Sequence, residues 1–302
     1  MPPSKPKPSE IAAEAKRTYI PHIRENCSSE WPSTSFLCYS ESMMARTASD
    51  TDRQVHFAFY ERDPVDFALE WAPTEPVAIP VIMPANDKRP GGDWEAGVMS
   101  PEECLCRRSN LFATLTTPAS GNLAPSNYPI PPKAGIFSPK VVVFRNGPER
   151  YEPWQEYKVL PVISVCPVKR PKLDSSGKKY SFKQEKELMR EEIKAVLRIA
   201  VYYRYHNLCI GNFGLGPGFR NPAEEVALMW RDAFLQDPEF QGHFEGVVFA
   251  FENPEGPGVA SGSSKTASKS TTKSSTPKCN AASDLEIFKH VFKPMNIHGA
   301  FK

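Results

Sequence analysis

Two adjacent carboxylates are the first candidates for chemistry in this sequence. Glu102 and Glu103 follow the paired glycines Gly91 and Gly92. Adjacent glycines let a backbone approach a ligand closely and expose its N–H groups. Two carboxylates next to such a turn are candidates for chemistry on a bound ligand.

A purely local explanation of the same residues is open. Ser100 and Glu103 have the spacing of a capping box, and Pro101 stands at the favoured first position of a helix. The helix dipole alone would favour Glu102 in the first turn. On local rules the pair is therefore a well-capped helix start.

A second segment has the composition of an anion site. A glycine-rich turn follows a short apolar run and precedes a predicted helix, and such turns offer an anion N–H groups and a helix dipole. The turn runs from Ile210 to Pro222, and by itself it could also be a simple connection between strand and helix. No Gly-Lys-Ser/Thr string follows, so the turn is not a Walker A loop.

Alternating strands and helices must position these two segments. Hydrophobic patterning predicts strands over 55–60, 77–83, 141–144, 159–165, 208–210 and 247–251. It predicts helices over 10–24, 64–71, 102–112, 182–205, 223–234 and 284–292, the first of them capped by Ser9. The alternation indicates an α/β fold with a mostly parallel sheet, whose ligands bind beyond the carboxyl ends of the strands.

The composition of the whole chain excludes several classes of protein. The formal net charge of the 302 residues is only +2, so direct binding of nucleic acid is not expected. The seven cysteines form no CxxC pair, and neither a metal site nor a cofactor is expected. No apolar run is long enough for a membrane span or a signal peptide, which predicts a cytoplasmic or nuclear protein. The run Lys169-Arg170-Pro171-Lys172 reads as a solvated basic turn or a nuclear import signal.

The expected organisation is one domain with two irregular segments. Residues 1–8 should be a disordered tail and residues 9–302 a single domain. A Pro-rich loop is expected at 118–139. A flexible insertion rich in Ser, Thr and Lys is expected at 254–283, either as a solvated spacer or as a segment that steers a polyanion.

The two glycine segments together resemble a known family. The string Asn86…Pro90-Gly91-Gly92-Asp93…Glu102-Glu103-x-Leu105-x-Arg107-Arg108-Ser109 is similar to the signature of the microbial-type poly(ADP-ribose) glycohydrolases, which have a macrodomain fold. The Gly214–Asn221 turn resembles the macrodomain loop that wraps the diphosphate of ADP-ribose. The chain departs from the family pattern at Asp93, where a third glycine is usual, and at Pro101, where a glutamine is usual.

The resemblance implies a macrodomain-like three-layer αβα fold with a mixed, mostly parallel central sheet. It implies a hydrolase that cleaves ribose–ribose O-glycosidic bonds, with Glu103 as general acid and base and Glu102 holding ribose hydroxyls. The ligand-binding residues implied are Asn86, Gly91, Gly92, Asp93, Gly214, Gly216, Gly218, Phe219 and Asn221. ADP-ribose or poly(ADP-ribose), free or on modified proteins, is the implied partner.

Two other functions agree with the same motifs. The domain could bind ADP-ribose without turnover, in which case Asp93 would mark lost activity. It could also remove single ADP-ribose units linked to proteins, because the leaving group lies outside the motifs.

Overall fold

A single sheet organises the part of the chain that the structure describes. The computed structural model describes residues 6–44, 53–122, 124–252 and 283–294. Within these residues the strands are β1 (Phe36–Tyr39), β2 (His56–Tyr60), β3 (Val81–Pro84), β4 (Ala134–Arg145), β5 (Pro153–Val165), β6 (Asn207–Ile210) and β7 (Gly246–Ala250). Their order across the sheet is β1-β4-β5-β3-β6-β7-β2.

The sheet is mixed and mostly parallel, as predicted. Strands β5, β3, β6, β7 and β2 run parallel to one another, whereas β4 is antiparallel to both β1 and β5. The central strand β3 is buried along its whole length because it has a partner on each side. Its carboxyl end is therefore next to those of β5 and β6.

Helices cover both faces of the sheet. They are α1 (Pro8–Glu14), α2 (Ile20–Asn26), α3 (Pro64–Trp71), α4 (Pro101–Arg108), α5 (Leu111–Thr116), α6 (Lys183–Tyr202), α7 (Gly216–Phe219), α8 (Ala223–Leu235) and α9 (Asp284–Val291). One apolar core includes side chains of α6, α8 and α9, and a second on the other face includes side chains of α1 to α5. The predicted three-layer αβα architecture is confirmed.

The first predicted helix is present but differs in its details. It begins at Pro8 after an N-cap at Lys7, so the predicted cap at Ser9 is wrong. The π-helical segment Ala15–Tyr19 joins α1 to α2, and the Ile20 N–H bonds to the carbonyl five residues back. The neighbouring Pro21 has no N–H to continue the ordinary α-helical pattern, which accounts for the wider turn at this point.

Other predicted boundaries shift as well, and β5 begins at Pro153, before the predicted residue 159. The strand predicted over 77–83 begins later, at Val81, because Pro80 cannot donate a ladder hydrogen bond. The helix predicted over 102–112 is two helices, since Ser109 is extended and bridges to Val143. The loop predicted at 118–139 is shorter, because β4 already begins at Ala134. Within β4, the pairing with β5 has a register shift between residues 138 and 141.

Some predictions concern residues that the structure does not describe. The insertion predicted at 254–283 lies outside the described residues except for Ser283, and the tail predicted at 1–8 lies outside them up to residue 5. None of the described helices is both long and apolar enough to cross a membrane.

Candidate active site

The carboxyl end of β3 leads into a turn held by one asparagine side chain. The Oδ1 of Asn86 accepts hydrogen bonds from the backbone N–H groups of Lys88 at 2.9 Å and Arg89 at 3.1 Å. This arrangement reverses the chain directly after the strand, as short polar side chains commonly do in turns. It directs residues 89–93 back over the strand end.

Gly91 and Gly92 occupy backbone conformations that favour glycine. Their φ angles are +68° and +54°. A Cβ on Gly91 would lie 2.9 Å from the Sγ of Cys106, and one on Gly92 would lie 2.3 Å from the Oε1 of Glu103. Both side-chain space and backbone strain therefore exclude any other residue here.

Glu102 fastens helix α4 to this turn. Its Oε2 accepts the backbone N–H of Asn86 at 2.7 Å, and its Oε1 accepts that of Gly91 at 3.3 Å. Only 2% of Glu102 is exposed. Burial, together with the charge of Glu103, raises the pKa of Glu102 to about 8. The raised pKa in this pair therefore belongs to Glu102, and burial is its main cause.

Glu103 is the more accessible member of the pair. Its Oε1 accepts the backbone N–H of Asp93 at 3.2 Å, and its Oε2 accepts the hydroxyl of Ser100. Ser100 is the N-cap of α4, yet its side chain caps no backbone N–H. The hydroxyl donates to the Glu103 carboxylate instead, so the capping box considered above is not formed and Glu103 faces the glycine turn.

Asp93 places a negative charge at the mouth of the turn. Its carboxylate lies 2.9 Å from the guanidinium of Arg89, and both side chains are substantially exposed. A cavity of about 380 Å³ opens next to them, with Trp94 and Phe112 in its wall. The charge of Asp93 is therefore only partly neutralised where an anionic ligand would approach.

Arg107 is a positioning residue that the sequence reasoning did not assign. Its side chain is fully buried and donates to the carbonyls of Trp94, at 2.7 Å, and Val98, and its Nε donates to the hydroxyl of Tyr151 at 3.1 Å. The fixed fork of a guanidinium suits such multiple bonding. Arg107 thus holds the segment between the glycines and the carboxylates.

The second glycine loop, residues 211–222, follows β6. The φ angles of Gly214 and Gly216 are +78° and +75°. A Cβ on Gly214 would lie 2.6 Å from Met189, whereas Gly216 and Gly218 have no atom within 4 Å of that position. The backbone around Gly216 and Gly218 is therefore open to a ligand, while Gly214 faces the core.

Asn221 holds the second glycine loop together. Its Nδ2 donates to the carbonyls of Val168 at 2.7 Å and Gly214 at 2.8 Å, and its Oδ1 accepts the hydroxyl of Tyr180 at 2.8 Å. With its amide engaged by protein groups, Asn221 shapes the loop. Phe219 is half-buried, and its carbonyl accepts the backbone N–H of Arg170.

The sheet places the two predicted segments at the same edge. Since β3 and β6 are parallel neighbours, the carboxylates and the second glycine loop leave the same edge of the sheet. Among the described residues, no three His, Cys, Asp or Glu side chains converge into a metal-binding group.

A buried charge cluster also lies near this edge. Arg108 pairs with Asp63 at 2.6 Å and with Asp66 at 2.8 Å. Burial and a hydrogen bond with Asp63 raise the pKa of Glu252 to about 8. Spacing could not reveal this cluster, because its members come from three distant parts of the chain.

One known family matches this chain. Residues 10–146 match the family described as microbial-type PARG, catalytic domain. The match confirms the resemblance to the microbial-type PARG family. The matched segment contains the first glycine turn and both carboxylates, whereas the second glycine loop lies beyond it. No curated protein matches the chain.

Solved structures of PARG enzymes share the fold. Poly(ADP-ribose) glycohydrolase from Thermomonospora curvata is 21% identical with a TM-score of 0.63, covering 80% of this chain and 92% of that one. Its complex with the inhibitor ADP-HPD is 20% identical with a TM-score of 0.62, covering 83% and 95%. The enzyme from Deinococcus radiodurans with ADP-ribose is 22% identical with a TM-score of 0.59, covering 79% and 92%. The predicted macrodomain-like fold is confirmed.

Proposed function

We propose that this chain is a poly(ADP-ribose) glycohydrolase that cleaves ribose–ribose O-glycosidic bonds. The observation that carries the proposal is the position of Glu103 directly against the bare backbone of Gly92. The absence of a side chain on Gly92 lets this carboxyl group lie against the turn, at the edge where ligands of such sheets bind. The matched family and the solved PARG structures support the same activity.

The second glycine loop holds the diphosphate in this proposal. Its open backbone at Gly216 and Gly218 lets phosphate oxygens approach N–H groups. Asn86 and Phe219 flank the distal ribose between this loop and the carboxylates. The sheet supplies the alignment, because the two loops leave adjacent strands.

The carboxylate pair supplies the proton. Glu103, the more accessible of the two, donates a proton to the leaving ribose oxygen as the C–O bond breaks. A water molecule then adds to the ribose carbon and returns a proton to Glu103. Glu102 keeps the glycine turn in place and contacts the ribose hydroxyls.

Hydrolysis of purified poly(ADP-ribose) by the wild type and by Glu103→Gln tests the proposal. We expect release of ADP-ribose by the wild type and a loss of at least about 1000-fold in the variant, the scale of general acid–base catalysis. Calorimetry should show that Glu103→Gln still binds ADP-ribose. Full hydrolysis by Glu103→Gln would contradict the assignment. Binding of ADP-ribose by a wild type that releases nothing would identify a reader domain instead.

The finer description is part of the same proposal. We propose that residues 9–302 form one catalytic domain and that polymer attached to modified proteins is its substrate in the cytoplasm or the nucleus. Parallel incubation with mono-ADP-ribosylated protein separates polymer cleavage from removal of a single unit.

A further inference from the structure

A basic hairpin lies next to the candidate active site, between residues 168 and 181. Its two arms are joined by hydrogen bonds from the Ser181 N–H to the Lys172 carbonyl at 2.8 Å and from the Asp174 N–H to the Lys179 carbonyl at 2.9 Å. The hairpin follows β5 directly and includes the basic run identified in the sequence. It is thus an ordered structural element.

The hairpin is fixed to both glycine segments. Both arms reach the side chain of Asn221, one through the carbonyl of Val168 and the other through the hydroxyl of Tyr180. On the other side, Lys169 pairs with Asp87, the residue that follows Asn86. The hairpin therefore has a defined position relative to the carboxylates.

Positive charge is concentrated on this hairpin. Its basic side chains are Lys169, Arg170, Lys172, Lys178 and Lys179, all exposed, and its only acidic residue is Asp174. The formal net charge of the entire chain is only +2, so the hairpin carries more net positive charge than the whole protein does. The half-exposed ring of Phe182, with the Lys172 ammonium 5.5 Å from its centre, adds an aromatic surface at the base.

The hairpin lies beside both loops of the candidate site. The second glycine loop follows β6, the carboxylates follow β3, and the hairpin follows β5. The hairpin contacts the second glycine loop at Asn221 and Phe219 and the first turn at Asp87. Its positive charge is therefore next to the ADP-ribose unit that the two loops would hold.

Resting on the proposed function, we propose that the hairpin 168–181 binds polymer units adjacent to the ADP-ribose that the two glycine loops hold. Each further ADP-ribose unit carries a diphosphate, and charges attract over about 8–10 Å at physiological salt. Such attraction raises association rates about 10- to 1000-fold. A single protein-linked ADP-ribose lacks these further diphosphates, so the hairpin favours polymer over mono-ADP-ribosylated protein.

Charge removal from the hairpin tests this inference. The variant Arg170→Asn/Lys178→Ser/Lys179→Ser removes three exposed charges, and Asn tolerates the positive φ of +49° at Arg170. The matched control Arg204→Asn/Lys140→Ser/Lys293→Ser removes three exposed charges elsewhere, and Arg204 also has a positive φ, +61°.

The hairpin variant should lose about 10-fold in kcat/KM on poly(ADP-ribose) at low salt, with the loss disappearing at high salt. The control should stay within about twofold, because its charges lie outside the route of the substrate. Affinity for free ADP-ribose, measured by calorimetry, should be unchanged in both.

Equal kcat/KM of the two variants on polymer, with an active wild type, overturns the inference and leaves the proposed function intact. A wild type that cleaves no polymer overturns the proposed function. In that case the affinity for polymer is measured in the Glu103→Gln background with and without the hairpin substitutions. The inference holds only if the hairpin substitutions weaken this affinity. A hairpin variant that loses affinity for single-stranded DNA but not for polymer shows a nucleic-acid surface and also overturns the inference.

Discussion

The Oε1 of Glu103 lies so close to Gly92 that a Cβ there would come within 2.3 Å of it. A methyl group at this position would displace the carboxylate or the turn. We therefore expect Gly92→Ala to lower kcat/KM on poly(ADP-ribose) at least about 100-fold, as a displacement of about 1 Å at a reacting group can do. Gly121→Ala is the matched control, because Gly121 also has a positive φ and nothing within 4 Å. Equal losses in the two variants would mean that backbone strain alone is responsible.

The exposed charge of Asp93 should weaken the binding of an anionic ligand. Asp93→Gly should raise the affinity for ADP-ribose about 3- to 10-fold at low salt, since it removes a like charge from the mouth of the site. Asp93→Asn should show most of the gain, and Glu95→Gln, an exposed acid in the same segment, should show little. Calorimetry at two salt concentrations measures the effect. An affinity that falls in Asp93→Gly would assign Asp93 a favourable contact with the ligand.

Arg107 should affect both stability and turnover. Arg107→Lys keeps the charge but loses the fork that spans two carbonyls and a hydroxyl, so the free energy of unfolding should fall by about 2–4 kcal/mol. The turn it holds should loosen, and kcat should fall more than the affinity for ADP-ribose. Tyr151→Phe removes only the hydroxyl partner and should cost about 1 kcal/mol. Denaturant unfolding with steady-state kinetics tests both statements. An unchanged kcat in folded Arg107→Lys would limit Arg107 to a structural role.

Glu192 should make stability depend on pH. This glutamate on α6 is buried, its Oε1 accepts the Lys133 N–H at 2.9 Å, and its Oε2 has no hydrogen-bond partner. Burial raises its pKa to about 7. Because the folded pKa is above the unfolded one, its contribution is present below about pH 4.5 and is lost as pH rises through about 7.

Glu192→Gln keeps the acceptor for Lys133 and removes the ionisation. It should be about 1–3 kcal/mol more stable than the wild type at pH 8 and equal to it at pH 4. The exposed Glu187→Gln is the control. Urea unfolding across this pH range measures the difference, and parallel curves for Glu192→Gln and the wild type would contradict the assignment.

Much of the fold follows from local patterning. The helix Pro64–Trp71 has its predicted bounds, and α6 lies within the predicted helix 182–205 and buries Met189, Ile193 and Val196, which have helical spacing. Strand β1 was not predicted, because it lies in a polar stretch and is defined by its pairing with β4. The break at Ser109 likewise depends on a bridge to a distant strand, which no local rule contains.

The candidate site divides in the same way. The glycines and carboxylates were found from their spacing, since their chemistry is local to the turn. The roles of Ser100 and Arg107 were not, because they depend on which atoms the folded turn brings within reach. Asn221 was identified as a ligand residue, whereas the structure uses its amide to join the second glycine loop to the hairpin.

The short central strand β3 has a consequence for folding kinetics. Val81 pairs with Val162 on one side and with Cys209 on the other, and both partners are far along the chain. Contacts between residues so distant in sequence form slowly, because a large loop must close before they stabilise anything. In refolding experiments, recovery of hydrolysis should therefore lag behind recovery of helical circular dichroism, so that turnover reports the last long-range pairings to form.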